Sequence, residues 1–166
     1  MLVTGEVNII DEDELITTDD INKVIKESVY AKLYEDYELI TVVPLVFTID
    51  DEETENPVGR TGKKLGMKGI MISAPKKNIY SVLSVMEGAG LEVIDITISG
   101  LCDYAEVGNK NLDKKVGAII NLGHETTNVS VYNKGKLMNT ETIQLGGLNI
   151  DKDLAYMFNI NIFDAR

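Results

Sequence analysis

The feature of the sequence that most constrains its fold is an apolar run that enters a glycine turn and leaves it as a second strand. Residues 116–122 are nearly all apolar, which is typical of a buried strand. Gly123, Thr126 and Thr127 stand in the turn that follows, and apolar and polar residues then alternate up to Tyr132. A turn of this kind directs backbone N–H groups and hydroxyls into one concavity that suits an anion. A plain β-hairpin produces the same pattern, so the residues alone leave both interpretations open.

The chain after this hairpin predicts a further hairpin and a helix. Residues 133–136 have the composition of a tight β-turn, and residues 137–143 predict a third strand. The run Leu145–Gly147 predicts a second tight turn. Asn149 is a good helix-capping residue, and apolar side chains follow it at helical spacing, namely Ile150, Leu154, Met157 and Phe158.

The first hundred residues carry a different pattern, which begins with a strand and an amphipathic helix. Residues 7–10 predict a short strand. Thr17 stands three residues before an aspartate, as in a capping box, and apolar residues at helical spacing predict a helix over about residues 19–33. Residues 39–49 are rich in β-formers, and Pro44 within them predicts an edge strand or a bulge.

A loop, a strand, a helix and a last strand complete this region. Residues 50–64 are polar and contain proline and glycine, as in a long loop, and residues 66–73 predict the next strand. Pro75 begins a helix that Gly90 ends, and the alternation in residues 91–98 predicts a strand. The order strand, helix, strand, strand, helix, strand predicts a small α+β sandwich with helices packed on one sheet.

The charge and the cysteine content exclude several classes of function. The net charge of −11 repels phosphate backbones and anionic lipids, so we expect no nucleic-acid binding and no direct membrane binding. One thiol, Cys102, cannot build a disulfide framework or a thiolate metal site, which favours a reducing cytoplasm. No apolar run reaches the ~18 residues of a membrane span, and the first residues lack the pattern of a signal peptide. A single histidine, His124, cannot form a metal cluster by itself.

The segment from Val116 to Tyr132 resembles the second phosphate-binding hairpin of the actin, Hsp70 and sugar-kinase superfamily, which has a ribonuclease H-type fold. The superfamily form is an apolar strand, Asp-x-Gly-Gly-Gly, two threonines, then an aspartate and another apolar strand. The version in the FtsA family continues with a polar turn and a Leu-Gly-Gly that leads into a helix, matched here by Gly135 and Leu145–Gly147. The resemblance implies part of an actin-like lobe and a set of nucleotide-contacting residues, namely Asn121, Gly123, His124, Thr126, Thr127, Gly146 and Gly147.

The hairpin departs from the superfamily pattern at four positions. Asn121 and Asn128 stand where the pattern has aspartates, and His124 and Glu125 replace its second and third glycines. An amide neither acts as a base nor carries the charge that holds a divalent cation. Side chains in place of glycine crowd the phosphates, and a glutamate adds like charge. We therefore expect weak binding of ATP and Mg²⁺ at best, no metal site formed by this chain alone, no catalytic residue and no enzymatic activity.

The first hundred residues resemble the subdomain that is inserted into FtsA proteins, known as the SHS2 or 1C subdomain. The similarity rests on short matches whose order and spacing are specific, namely Ile16-Thr17 with Asp20-Ile21, Val43-Pro44, Ile49-Asp50, Asn56-Pro57-Val58-Gly59, Gly62 with Leu65, and Ala89-Gly90-Leu91. We therefore expect an SHS2-like interaction subdomain at residues 1–100, a connector at residues 101–115 with room for a short helix, and part of an actin-like lobe at residues 116–166.

The resemblance to FtsA implies an adaptor of the bacterial division ring that acts by binding. Full-length relatives bind ATP, polymerise, tether FtsZ and hold it at the membrane through a C-terminal amphipathic helix. We therefore expect FtsZ, other division proteins and further copies of the chain as partners, at the cytoplasmic face of the cell membrane at the division site. The first phosphate loop, the FtsZ-binding subdomain and the membrane helix are expected outside this chain, which favours an excised fragment.

Two other functions remain open at this stage. A catalytic actin-like ATPase or kinase would turn over ATP. An actin-like pilus-assembly adaptor of the PilM type would bind a peptide of an inner-membrane pilus protein in place of FtsZ. For an adaptor, we expect the strand edges at residues 7–10 or 39–49 to pair with a strand of a partner.

Overall fold

The chain folds into two compact units, Met1–Thr97 and Ile98–Arg166, in a computed structural model. The structure describes residues 1–10, 13–108 and 112–166. Residues 109–111 of the predicted connector therefore lie outside the described residues.

An antiparallel sheet of four strands forms most of the first unit. Its strands lie in the order β1, β4, β2, β3. In chain order the elements are β1 (Leu2–Asn8), α1 (Thr18–Val29), β2 (Tyr37–Ile49), β3 (Glu52–Thr54), β4 (Lys64–Pro75) and α2 (Lys76–Gly88). A register shift between Pro44 and Val46 in the pairing of β2 with β4 confirms the bulge that was one of the two expectations for this proline.

Helix α1 packs closely on the sheet because the strand beneath it carries a glycine. A Cβ atom on Gly5 would lie 2.5 Å from the carbonyl oxygen of Val24 and 2.6 Å from the backbone nitrogen of Ser28. Val24 and Ser28 are fully buried at this contact. The apolar core of the unit consists of Ile16, Val24, Leu65 and Met67.

The capping box predicted at the start of α1 is present. The Asp20 backbone N–H donates to the Thr17 hydroxyl, and the Thr17 backbone N–H donates to the Asp20 carboxylate at 3.0 Å. Lys23 reaches the other carboxylate oxygen at 2.9 Å. The Thr17 hydroxyl also donates to the Asp20 carboxylate, at 2.6 Å. This hydrogen bond first, and that from Lys23 next, lower the pKa of Asp20 from 3.8 to about 2, because they favour the charged carboxylate.

Two predicted boundaries in this unit were wrong. The first strand begins at Leu2 and not at Val7, because β1 pairs in an unbroken register with β4 along its whole length. Ile10 lies beyond the strand and is 92% exposed. Helix α1 ends at Val29, short of the predicted end near residue 33, and Ala31 follows with a φ of 57°, which a right-handed helix does not contain.

The predicted loop at residues 50–64 contains a strand, β3, that sequence reasoning missed. Asp50 and Asp51 have positive φ angles of 48° and 73°, so the chain reverses over two residues and Ile49 pairs with Glu52. This is the backbone geometry of a tight hairpin turn, which aspartate tolerates better than most residues.

Residues 91–98, predicted as the last strand of this region, belong to neither sheet. Alternation of apolar residues is a local property, whereas a strand also needs a neighbour with which to exchange backbone hydrogen bonds. No strand among the described residues supplies one, and Ile94 is 92% exposed. The unit keeps the predicted α+β class, with the order strand, helix, strand, strand, strand, helix.

An antiparallel sheet of three strands, in the order β5, β6, β7, forms the centre of the second unit. The three predicted strands and the helix after them are confirmed. In chain order the elements are α3 (Ser99–Val107), β5 (Val116–Leu122), β6 (Thr127–Asn133), β7 (Lys136–Ile143), α4 (Gly147–Phe158) and α5 (Ile162–Ala165). Lys134 and Gly135 have positive φ angles of 49° and 79°, as in the two-residue hairpin turn predicted between β6 and β7.

Helix α3 contains part of the stretch predicted as a connector, and it packs on one face of this sheet. A Cβ atom on Gly100 would lie 2.3 Å from the Ser130 hydroxyl. The buried Tyr132 hydroxyl donates a hydrogen bond to the Gly100 carbonyl, and the Tyr132 ring stacks on that of Tyr104 with centroids 4.5 Å apart. These contacts make α3 an integral part of the second unit.

Candidate functional site

The candidate site is the turn between β5 and β6, residues 123–126. The two strands stay paired up to Leu122 and Thr127, and the Gly123 N–H closes the turn by donating to the Thr126 carbonyl at 2.9 Å. A Cβ atom on Gly123 would lie 2.8 Å from that oxygen. Any larger residue would therefore have to move the backbone of the turn.

The first turn of α4 is hydrogen-bonded to the backbone of this turn. The N–H groups of Gly147 and Leu148 donate to the carbonyls of Gly123 and His124, at 3.0 and 2.8 Å. A Cβ atom on Gly146 would lie 2.4 Å from the His124 carbonyl oxygen, which explains a glycine at the N-cap of α4. Two of the N–H groups that a helix leaves without an intrahelical partner are satisfied in this way.

Two side chains hold the chain that leads into α4. The Thr127 hydroxyl donates to the Leu145 carbonyl at 2.7 Å. The Asn149 side-chain oxygen accepts from the Gly146 N–H at 3.0 Å. Asn149 is thus the third residue of the helix and not its N-cap, because the close packing of Gly146 on the turn places the N-cap there.

The peptide groups of the turn direct two N–H groups away from α4. All peptide bonds among the described residues are trans, and in a trans peptide the C=O and the N–H that follows point in opposite directions. The carbonyls of Gly123 and His124 point at α4, so the N–H groups of His124 and Glu125 point to the opposite side. Neither N–H has an acceptor among the residues that the structure describes. Two neighbouring N–H donors on one side of a turn are an arrangement that suits an anion.

The side chains of the turn modify this anion-binding potential. His124 and Glu125 are exposed, and Thr126 is half-buried and brings a hydroxyl to the turn. The Glu125 carboxylate places a negative charge beside the two N–H groups, which opposes an anion there. The turn therefore combines donors that attract a phosphate with one charge that weakens its binding.

A carboxylate that sequence reasoning missed lies beside the end of β5. The Asn121 side-chain nitrogen donates to Asp103 Oδ2 at 3.0 Å, and both residues are half-buried. On the neighbouring strand, the Thr142 hydroxyl donates to Asn128 Oδ1 at 2.7 Å. Asp103 lies on α3, 18 residues from its partner in the sequence. No local spacing rule connects a helix residue to a strand residue across such a gap, so the sequence carries no signal for this pair.

The structure brings the predicted site residues to one end of the second sheet. Backbone hydrogen bonds and close packing join most of them around the turn, namely Gly123, His124, Thr126, Gly146 and Gly147. Thr127 holds the adjoining Leu145, whereas Asn121 turns its amide group toward α3. The part of the chain that the structure describes contains no group of three or more His, Cys, Asp or Glu side chains placed to hold a metal ion. Its helices include none that is long and apolar enough to cross a membrane.

Family profiles match both units. The profile described as "SHS2 domain inserted in FTSA" matches residues 2–73, and the profile described as "Cell division protein FtsA" matches residues 118–166. Among curated proteins, FtsA of Bacillus subtilis is 29% identical over 153 residues, which make up 91% of this chain and 34% of that protein. FtsA of Escherichia coli strain K12 is 26% identical over 156 residues, which make up 93% of this chain and 37% of that protein. The chain spans about a third of the length of these curated relatives.

A solved structure described as "PilM-PilN type IV pilus biogenesis complex" matches 99% of this chain and 45% of its own, with a TM-score of 0.66 and 16% sequence identity. At this identity the match shows a shared, actin-like fold and nothing finer. The family evidence comes instead from the profiles and the curated relatives. One profile matches each unit, and the two FtsA relatives align with 91% and 93% of this chain. Together they show that the chain is FtsA-like in both units, with an actin-like fold.

Proposed function

We propose that the chain is a docking and nucleotide-contacting portion of a division-ring adaptor, which acts by binding and not by catalysis. The curated relatives carry the name cell division protein, and the SHS2 profile covers the sheet of the first unit. The observation that carries the proposal is that this sheet presents strand edges with no neighbouring strand among the described residues. Such edges recruit a strand from a partner through backbone hydrogen bonds.

The outer edge of β1 offers backbone groups to a partner. Met1 and Met71 exchange backbone hydrogen bonds of 2.8 and 2.9 Å. In an antiparallel ladder this pairing turns the odd-numbered residues of β1 toward β4 and the even-numbered residues outward. The Thr4 carbonyl does point outward, because Lys32 Nζ reaches it at 2.6 Å. The edge expected at residues 7–10 therefore runs along Leu2–Asn8 instead.

The outer edge of β2 is covered over only part of its length. β3 pairs with Phe47–Ile49, and residues 37–44 have no strand on that side among the described residues. The backbone N–H and C=O of Met71 are hydrogen-bonded to Met1, next to β1. Val42 lies opposite Met71 on β2, so by the same alternation its own N–H and C=O point outward, away from β4. The edge expected at residues 39–49 is therefore available in its first part.

We infer that these edges serve self-association into filaments and the docking of later division proteins. In this proposal the whole protein links the FtsZ ring to the cytoplasmic face of the cell membrane at the division site. The net charge of −11 supports protein partners over nucleic acid or bare anionic lipid. Contacts with FtsZ and with the membrane are assigned to parts of the protein other than the residues described in these two units.

Proline substitution tests the edges while the hydrogen bonds between the strands of the sheet are kept. Thr4→Pro and Val42→Pro each remove an outward N–H while the ladder to β4 is kept, and proline is tolerated at such positions. Thr4→Val and Val42→Thr are the matched controls, because they change the side chain and keep the N–H. We expect the double proline variant to lose filament assembly and co-sedimentation with division proteins, and the control pair to keep both. Normal assembly and binding by the double proline variant would refute docking at these edges.

We also propose that the turn at residues 123–126 contacts the phosphates of ATP weakly. The N–H groups of His124 and Glu125 and the Thr126 hydroxyl are the donors, and Gly123, whose Cβ would meet the Thr126 carbonyl, allows the tight turn that presents them. The bound nucleotide would supply its phosphate charge and an accompanying magnesium ion. Glu125 beside the donors keeps the affinity low, and Asn121 cannot act as a base for hydrolysis.

Calorimetric titration of Mg-ATP into the protein tests this second part of the proposal. We expect weak but measurable binding that Thr126→Ala reduces, without release of phosphate. Steady ATP turnover that Thr126→Ala abolishes would instead establish a catalytic ATPase.

A pilus-assembly adaptor is the second candidate function, since the fold matches the PilM–PilN complex over 99% of this chain. A pull-down from cells that contain both systems separates the two candidates. Recovery of a peptide from an inner-membrane pilus protein, in place of division proteins, would favour the pilus adaptor.

A further inference from the structure

Lys32 lies at the outer edge of β1, one of the two edges proposed above for docking. Ala31, with a φ of 57°, turns the chain out of α1, and the Lys32 N–H donates to the Val29 carbonyl at 3.0 Å. The Lys32 side chain reaches back to the strand, where its Nζ donates to the outward carbonyl of Thr4 at 2.6 Å. Lys32 is half-buried, although lysine is usually exposed. This contact holds the ammonium group at the strand edge.

A groove lies between the edge of β1 and the end of α1, and we call it the β1 groove. Its lining residues are Thr4, Gly5, Glu6, Glu27, Tyr30 and Lys32. Tyr30 is 76% exposed, and tyrosine is enriched in protein interfaces. The β1 groove thus combines a strand edge with an aromatic side chain and a cationic side chain.

The ammonium of Lys32 forms no ion pair in the part of the chain that the structure describes. Glu6 is paired with Lys64 at 2.8 Å, and Glu27 is exposed and lies outside ion-pair distance of Lys32. The ammonium donates to a backbone carbonyl instead. A carboxylate is a better acceptor than a carbonyl, because the hydrogen bond then joins opposite charges. Lys32 therefore offers an unneutralised positive charge to a partner at this edge.

A strand that adds to β1 uses the same carbonyl as Lys32. Antiparallel strands exchange N–H···O=C hydrogen bonds, so the ammonium either shares the Thr4 carbonyl with the added strand or leaves it. In both cases it lies beside the added strand, on the side of α1. Side chains alternate between the two faces of a sheet, and Gly5 faces α1. The added residues opposite Val3 and Gly5 therefore have their side chains on the side of Lys32.

A second copy of the chain does not supply a carboxylate there when it pairs through its own β1. Its β1 residues on the side of α1 are Val3, Gly5 and Val7, and none of them is charged. Such a strand competes with the ammonium for the Thr4 carbonyl and offers it no other acceptor. Penalties of this kind against one partner are a source of specificity for another.

We propose that Lys32 determines which strand the β1 edge accepts, and that the partner is an extended segment of another protein with a carboxylate opposite Val3 or Gly5. The inference rests on the edge docking proposed above and states the chemistry of the strand that docks. Lysine at a strand edge commonly prevents pairing with wrong strands. Here the same lysine also favours one class of strand, because a carboxylate takes over its ammonium.

Binding of labelled peptides, followed by fluorescence anisotropy, tests this specificity. The probes are short peptides of alternating threonine and valine in which a central valine is replaced by glutamate, glutamine or lysine. The full chain carries Val42→Pro in every measurement, so that the edge of β2 does not bind them. We expect the glutamate peptide to bind about two- to fivefold more tightly than the glutamine peptide, as for other exposed pairs of opposite charge, and the lysine peptide to bind most weakly. High salt should reduce the preference.

Three further variants assign the preference to Lys32. Lys32→Met keeps an unbranched side chain and removes its charge, so the glutamate and glutamine peptides should bind it equally. Glu27→Gln is the matched control, because it removes a charge from the same groove and leaves Lys32 in place, and it should keep or increase the preference for glutamate. Thr4→Pro removes an outward N–H of β1 and should abolish binding of all three peptides.

The outcomes separate the two proposals. If no peptide binds, or if Thr4→Pro leaves binding unchanged, docking at the β1 edge is refuted, and the role of Lys32 is refuted with it. If binding requires the Thr4 N–H but shows no preference for glutamate, or if Lys32→Met keeps that preference in full, only the role of Lys32 is refuted.

Discussion

Replacing Asp20 by asparagine measures how much the capping box stabilises the first unit. Asp20 is 7% exposed, and its pKa is held at about 2 instead of 3.8, chiefly by hydrogen bonds from Thr17 and then from Lys23. The shift corresponds to about 2 kcal/mol, since one pKa unit is worth about 1.4 kcal/mol. The Lys23 side chain is 64% exposed and water screens its share, so we expect a contribution of about 1–2 kcal/mol.

The dependence on pH follows from the direction of the pKa shift. The unfolded carboxyl binds a proton more readily than the folded one, so the stabilisation is complete above about pH 5 and is lost as the pH falls through 3.8 toward 2. Asp20→Asn keeps the size of the side chain and an oxygen for the Thr17 N–H, but it has no charge. The variant should therefore be about 1–2 kcal/mol less stable than the unmodified protein at pH 7, and the difference should shrink steadily below about pH 4.

Urea unfolding followed by circular dichroism at several pH values provides the assay. Asp19→Asn is the matched control, because it removes the same charge from the same helical turn at an exposed position outside the capping box. We expect a smaller loss in the control. Equal losses in the two variants, or a difference for Asp20→Asn that stays constant down to pH 3, would refute the reasoning.

Four substitutions of glycine or tyrosine, of which Gly88→Ala is a control, test the packing that positions the site and the docking sheet. Gly5→Ala should lower the free energy of unfolding by about 1–3 kcal/mol, because its Cβ would lie 2.5 Å from a backbone oxygen of α1. The control Gly88→Ala meets nothing within 4 Å, so in thermal unfolding it should be neutral or raise the stability by up to about 1 kcal/mol. Tyr132→Phe should cost about 1 kcal/mol in the same measurement, because it deletes the buried hydrogen bond to the first turn of α3. Gly123→Ala should weaken Mg-ATP binding in calorimetry more than it lowers the Tm, since its Cβ would lie 2.8 Å from the carbonyl that closes the turn; unchanged affinity would count against the turn as the phosphate contact.

Elements whose geometry depends on neighbouring residues could be predicted from the sequence. Thr17 and Asp20 are three residues apart, and the capping box forms between them as expected. The turn at Lys134 and Gly135 needs positive φ angles that glycine supplies, and it too forms where predicted. The strand at residues 116–122 was recognised from its apolar run alone.

Elements that depend on a distant partner could not be predicted. Residues 91–98 alternate like a strand, but no described strand pairs with them. The start of β1 at Leu2 depends on its register with β4, more than fifty residues later in the chain. The sequence did not predict β3, because Asp50 and Asp51 have the composition of a polar loop. In the structure the chain reverses over these two residues and Glu52 pairs with Ile49.

The candidate site shows the same division. The sequence by itself determined the turn and the need for its glycines, because both follow from the backbone of a few adjacent residues. Only the tertiary structure decided that α4 occupies the carbonyl side of the turn, which leaves the N–H groups of His124 and Glu125 on the other side, and that Asp103 meets Asn121. These contacts depend on how a helix packs against a sheet. The spacing of apolar residues predicts each helix and each strand separately, but it does not say which polar residues of a helix meet which polar residues of a strand.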